Sequence, residues 1–423
     1  MKRFSPLLAC FILVAPLAWM RSDERSSSRV ADLTRAMAEG DIERVRAVVA
    51  RTRAVLGEKA GEPEVADEFR AVPVGATLLT RAEAQRGFAP LFGQLEKMRW
   101  WKVGANPAEM KAPLREVASV ISGQAAAARA RLDGAERGLA MAKEAADFLV
   151  WAQEQAGAGC YPFPAACGTS RARAMEVASR FLAQAEKAGR LSEVARNGWV
   201  FEDLGDGGLQ FDNGECGVAM IDLHAVTGEQ RYLDSARRAA DWALSRPLCA
   251  NWNYNSFSVR LLARAYAATG DPRYLDAAVS KARLGMIPGQ LADGARAGRW
   301  VDPHNARPAY HYIMMAALAQ LVGVLPPSHQ HRPEILRALS LGLAGRNAEM
   351  TTRGVMNKDH AMETLLLVKS VFADDPAYRL ETNSEQALRS IGLLVSAEAR
   401  RGRQPLAPGP WGMFLENIVA TGQ

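Results

Sequence analysis

The chain has 423 residues, 48% hydrophobic and 23% charged, with a formal net charge of +6. That length can bury a large core, and those fractions exclude wholesale disorder. The positive balance is mild, and no long Lys/Arg run or interleaved aromatic array is present, which argues against a nucleic-acid partner.

At the start, Lys2 and Arg3 precede an apolar run from Pro6 to Met20 that Arg21 ends. This is the pattern of a signal or anchor segment over residues 1–21, too short for a comfortable span. The expectation is an exported protein, whether periplasmic, secreted or held at the membrane by its N-terminus alone. Beyond Cys10 the cysteines are Cys160, Cys167, Cys216 and Cys249. An oxidising compartment permits two disulfides, with 160–167 and 216–249 the most economical of the three pairings; buried thiols are the alternative. Their spacings match no common zinc pattern.

Residues 22–144 read as an accessory helical region. A serine-rich linker runs to Arg29, and apolar positions from Val30 to about Leu56 recur at helical spacing. Pro63 to Pro73 breaks the pattern, a second helix is predicted from Arg81 to Trp100, and a long one follows Asn106-Pro107 as far as Gln155. A break is expected in it at Gly123 or Gly134. The region is rich in Ala, Arg and Glu, and no chemistry is expected before Ala145.

From Ala145 to about residue 400 the texture changes. The segment Thr227–Ala236 matches Thr269–Ala278 at seven of ten positions, at an offset of 42, and Asp374-Asp375-Pro376-Ala377-Tyr378 is a weaker third copy. A period of this size with two helices per unit indicates helical hairpins. Thr-Gly ends one helix, with glycine able to take the left-handed conformation, and Asp-Pro starts the next. The other connections are long and polar: Leu191–Asn213, Pro247–Asn251, Pro288–Arg307 and Glu349–Met356. Strand signals are weak, so the fold class is all-α. Residues 401–423 read as a C-terminal tail.

Hairpins joined by TG-[ED]-x-RYLD turns resemble the (α/α) toroids of carbohydrate-active enzymes, namely six-hairpin glycosidases, sugar epimerases and toroidal polysaccharide lyases. Phe211-Asp212-Asn213-Gly214-Glu215, followed by a helix and RYLDSARRAADWAL, is similar to the "DNGAT…RY…GLDYLL" run of toroidal pectate lyases. The resemblance spans roughly Ala145–Val395. It implies an incomplete toroid acting on a polysaccharide or oligosaccharide, with an acidic residue at DNG helping to hold Ca²⁺ against an acidic sugar. Leu248-Cys249-Ala250-Asn251-Trp252 stands where those lyases carry an aromatic GGWPQ run.

In such a toroid the inner helices run parallel, so short turns gather on one face and long loops on the other, where function concentrates. The long-loop face collects helix starts near Gly214, Asn253, Pro308 and Asn357. Candidate catalytic residues there are Asp212, Glu215, His304, Tyr310, His311 and His360. Candidate substrate-binding residues are Trp252, Asn253, Tyr254, Asn255, Asn305, Arg307 and Lys358. Asp203, Asp206, Asp302, Asp359 and Glu363 share that face, and Tyr161 and Phe163 are candidates for its rim. Asp212 or Asn213 also suits a helix N-cap, and His311 a satisfied core position. Two mechanisms fit. A lyase neutralises the uronate carboxylate and removes the C5 proton with His or Tyr; a hydrolase sets two carboxylates about the glycosidic bond. A non-catalytic glycan-binding or envelope scaffold on the same fold is the alternative.

Overall fold

The structure is a computed structural model that describes residues 24–63, 66–98, 101, 114–156, 159–161 and 207–421. Helices dominate, and the β-pairing among these residues is two isolated bridges, Arg70 with Val355 and Gln290 with Trp300. The helices are α1 (Glu24–Glu39), α2 (Ile42–Leu56), α3 (Arg81–Arg86), α4 (Ala89–Met98), α5 (Leu114–Arg129), α6 (Ala135–Ala156), α7 (Gly207–Thr227) and α8 (Gln230–Leu244). They continue as α9 (Trp252–Thr269), α10 (Pro272–Gly285), α11 (Pro308–Val324), α12 (Arg332–Arg353), α13 (Lys358–Val371), α14 (Pro376–Glu381), α15 (Ser384–Arg400) and α16 (Pro408–Thr421).

Six of them form a ring: α5 packs on α7, α7 on α9, α9 on α11, α11 on α13, α13 on α16, and α16 back on α5. Outside the ring, α6 backs α5, α8 backs α7, α10 backs α9, α12 backs α11, and α15 backs α13. The short α3 packs on α16, so the chain's beginning supplies the backing for its last helix. This is an (α/α) toroid. The ring takes in Leu114–Arg129 and Pro408–Thr421, segments that read in the sequence as accessory region and tail, and with them it closes. Both are apolar on the faces that meet, and they approach through glycines. A Cβ on Gly123 would lie 2.3 Å from the Pro408 carbonyl oxygen, and one on Gly412 would lie 2.4 Å from that of Gly123. Gly123 therefore marks a close helix crossing within α5. The expected break falls later, where Arg131 and Gly134 take positive φ.

The repeated turns share their Thr-Gly hydrogen bonds and differ in the cap, which Asp271 makes with its side chain and Glu229 does not. Gly228 (φ 70°) and Gly270 (φ 73°) donate their N–H to His224 and Tyr266, each at 2.8 Å. Thr227 and Thr269 return their hydroxyls to the carbonyls of Leu223 and Ala265 at 2.8 and 2.7 Å. Tyr232 and Tyr274 are buried beneath these turns. Asp375 caps the third copy through Tyr378 N–H at 3.0 Å, and there the helix is only six residues long.

At the N-terminal end the single helix expected over Val30–Leu56 is two, because Gly40 turns left-handed and Asp41 caps α2. The chain then runs over the long-loop face as a strap. Gly61 N–H bonds Val301 O at 3.0 Å, Arg70 exchanges two backbone bonds with Val355, and Leu79 N–H bonds the Ser396 hydroxyl. Arg346, fully buried on α12, anchors it: its guanidinium pairs with Asp67 at 2.5 Å and with Glu349, and donates to the Ala306 carbonyl. No helix among the described residues is long and apolar enough to cross a membrane. The signal or anchor segment lies outside them, as do Asp203, Asp206, Phe163 and Cys167.

The 216–249 disulfide does not form. Cys216 is a buried free thiol, and the Cys249 sulfur instead accepts from Gln210 Nε2 at 3.4 Å. Cys216 sits near Tyr161, whereas Cys249 belongs to the loop that Asn255 holds.

Candidate active site

Helix α7 begins at Gly207, so the DNGE segment lies within the helix instead of opening it. The reason is packing. A Cβ on Gly214 would fall 2.6 Å from that of Phe257, and one on Gly217 2.6 Å from Leu261, so these glycines let α9 close on α7. Asn213 is buried and caps nothing; its side chain accepts from Tyr161 N–H at 3.2 Å and donates to Ala239 O of α8 at 3.0 Å. Asn213 therefore faces outward. At 100° per residue, Glu215 and Asp222 fall on the opposite side, facing the lumen.

The centre of the site is a three-residue ionic cluster. Arg260 on α9 reaches past α11 to Glu363 on α13 at 2.5 Å, and also meets Glu215 at 3.8 Å. The three side chains keep 14%, 19% and 27% of their surface, sheltered but open to solvent in the lumen. Burial pushes the Glu215 carboxyl up to about 7; Arg260 opposes that rise and Glu363 adds to it. His360, one turn before Glu363, is half-buried, and burial lowers it from its usual value. Asp359 accepts the Ala407 N–H at 2.6 Å, and burial raises its carboxyl.

Beside this cluster, Arg115 on α5 pairs with Asp212 at 3.2 Å and lies 4.0 Å over the Phe211 ring. Phe211 in turn stacks on Phe257, centroids 3.9 Å apart. Burial raises the Asp212 carboxyl, opposed by Arg115. Asp212, which the resemblance links to Ca²⁺, is thus held by a guanidinium, and among the described residues no group of three His, Cys, Asp or Glu is poised to hold a metal. The described residues do not fit that ion.

The remaining candidates divide by position. His304 stacks on Tyr310 with centroids 4.6 Å apart, and Arg307 lies 6.0 Å over the same ring, at the start of α11. These three are half-buried at the long-loop face, as is Tyr254 at the start of α9. His311 points the other way. It is fully buried, its Nε2 lies 3.0 Å from Gly342 O of α12, its ring meets Trp300 edge-on, and burial holds it well below the usual histidine value. Trp252 is buried against Gly289. Asn255 is buried; it clamps the preceding loop through Cys249 N–H and Cys249 O and ties it to the end of α10 through Gly285 O. Asn253 donates to Asn305, and Asn305 in turn donates twice to Asp302, so this pair joins two long loops. Lys358 pairs with Glu398, which also holds Arg70 of the strap at 2.6 Å. Tyr161 is buried, its hydroxyl 2.7 Å from that of Ser235.

The lumen-lining Arg115, Ser122, Asp222, Arg260 and Arg264 carried no role in the sequence reading. Their signal was a spacing of seven or four within helices that look merely soluble: Arg115, Ser122 and Arg129; Glu215 and Asp222; Arg260 and Arg264.

A closed helical ring around a charged lumen, with long loops at one mouth, defines a toroid with a built polar site. Among solved structures the chain is similar to a polysaccharide lyase, at 14% identity and a TM-score of 0.44 over 81% of this chain and 97% of that one. It is also similar to a glycosyl hydrolase of family 88 from Bacteroides vulgatus, at 12% identity and a TM-score of 0.46 over 81% of this chain and 99% of that one. No family model matches the sequence, and no curated protein does.

Proposed function

We propose that this chain is an exported carbohydrate-active enzyme that cleaves an acidic polysaccharide in its toroid lumen. Glu215 acts as general acid and Glu363 as the partnering carboxylate. One observation carries the reading: two carboxylates from helices that are not ring neighbours share Arg260, and one of them is raised to about 7. Glycoside hydrolysis uses such a pair, a protonated acid and an ionised base. Glu215 gives its proton to the leaving oxygen as the C–O bond breaks, and water adds to the sugar while Glu363 accepts its proton. Arg115, flat on Phe211 beside this pair, offers a guanidinium for a sugar carboxylate and an aromatic support for it. Export rests on Lys2, Arg3 and the apolar run to Met20.

A lyase-type cleavage is the second reading, favoured by His304 stacked on Tyr310 with Arg307 alongside. Proton removal by His or Tyr next to a carboxylate-binding Arg is that reaction's requirement. Incubation with polygalacturonate, alginate and hyaluronate separates the readings, by following absorbance at 235 nm for unsaturated ends and reducing ends for hydrolysis. Reducing ends without the 235 nm signal, lost in Glu215→Gln, support the hydrolase; the 235 nm signal supports the lyase. Binding with neither signal overturns both and leaves a glycan-binding scaffold.

A further inference from the structure

The polar lining does not stop at Glu215. Asp222 lies seven residues further along α7, about 10 Å deeper on the same face. It is bonded from both sides, by Ser122 Oγ of α5 at 3.0 Å and by Arg264 of α9. Arg264 keeps a buried Nε with no hydrogen-bond partner, and its side chain and that of Asp222 remain partly open. One helical heptad below Ser122, Arg129 makes a two-pronged pair with Glu416 at 2.8 and 2.9 Å. The inner surface is therefore charged along its depth, where a purely structural barrel would be apolar.

Because the ring is closed, a polymer cannot be laid into this depth sideways. A chain that reaches Asp222 from the long-loop mouth has to arrive end first. We infer that Ser122, Asp222 and Arg264 form a second subsite, which takes the terminal acidic sugar of a chain whose scissile bond lies at Glu215. The partly open guanidinium of Arg264 meets the sugar carboxylate, and Asp222 with Ser122 takes its hydroxyls. A depth of about 10 Å beyond Glu215 accommodates a short oligosaccharide, so the cluster measures product length and makes the cleavage proceed from chain ends. This rests on the cleavage reading above.

The test follows product sizes from polygalacturonate, alginate and hyaluronate over time, alongside calorimetric titration with digalacturonate. One short product from the first time points, with viscosity nearly unchanged, is expected of the native protein. Arg264→Gln is expected to weaken digalacturonate binding by about tenfold or more, the loss of one charged hydrogen bond, and to spread the product sizes. Ser122→Ala, a milder change in case Arg264→Gln misfolds, should shift the distribution in the same direction. Random fragments with a rapid viscosity drop, or products and binding unchanged in both variants, would overturn the subsite while leaving cleavage standing. Absence of both cleavage and digalacturonate binding in the native protein would overturn the subsite together with the function it rests on.

Discussion

Arg260 and Glu363 meet at 2.5 Å although α11 stands between their helices in the ring. The pair is therefore a strut inside the lumen, and Glu215 leans on the same guanidinium. Replacing Arg260 with Gln leaves two sheltered carboxylates without their counter-charge. The expected cost is about 1–3 kcal/mol in denaturant unfolding at neutral pH, since the groups are partly solvated. Adding Glu215→Gln and Glu363→Gln to that variant should recover part of the loss, and an additive outcome would count against the shared strut.

The raised Glu215 carboxyl gives a pH signature. Between about 4.5 and about 7 the folded protein holds a proton that the unfolded chain has released. The contribution of this group to stability is therefore greatest below that window and falls as pH rises through it. Thermal unfolding of the native protein, minus that of Glu215→Gln, should decline from pH 5 to pH 8. If Glu215 is the acid, turnover should fall above about pH 7, where it ionises.

Gly214 is held small by packing. Gly214→Ala places a methyl 2.6 Å from the Phe257 Cβ and should destabilise the fold by about 1–3 kcal/mol through overpacking. A Cβ on Gly228 meets nothing within 4 Å, so the cost of Gly228→Ala is that of its positive φ alone, about 1 kcal/mol. Chemical denaturation of both variants ranks the two effects, and equal losses would contradict the close helix crossing.

Asn255→Ala removes a buried side chain that satisfies three backbone groups, two at Cys249 in the loop before α9 and one at Gly285, the end of α10. A loss of about 2–4 kcal/mol is expected, with the loop before α9 loosened. Limited proteolysis should then cut near Leu248–Asn251, which the native protein protects.

Much of the fold was legible because its signals are local. The Thr-Gly and Asp-Pro turns specify their own geometry within a few residues, and the structure repeats them to within about 0.1 Å in hydrogen-bond length. Ring closure was not legible, because nothing local in Leu114–Arg129 or Pro408–Thr421 distinguishes an inner helix from a packing helix; the contact between Gly123 and Gly412 spans most of the chain. The same reason divides the site. The long-loop face was predicted from loop lengths, but Trp252, Asn255 and His311, assigned to it, are buried and consumed in packing. The central arginine was missed because Arg260 sits in mid-helix, where one charge among apolar neighbours looks like any solvated position. Its partner Glu363 was only one of several carboxylates assigned to the mouth.

The junction of α16 with α5 and α3 has a consequence for how the protein is made. The ring's last stave is synthesised last, and it docks between elements that left the ribosome some three hundred residues earlier. Until then Arg115, Asp212, Arg260 and Glu363 line an open gutter flooded with water, and the burial that raises the Asp212 carboxyl has no enclosing wall to create it. Contacts of such long sequence separation form slowly. The chemistry of the lumen thus switches on as a single late event of assembly, and a chain clipped before Pro408 should keep most of its helices while lacking the chamber they are meant to enclose.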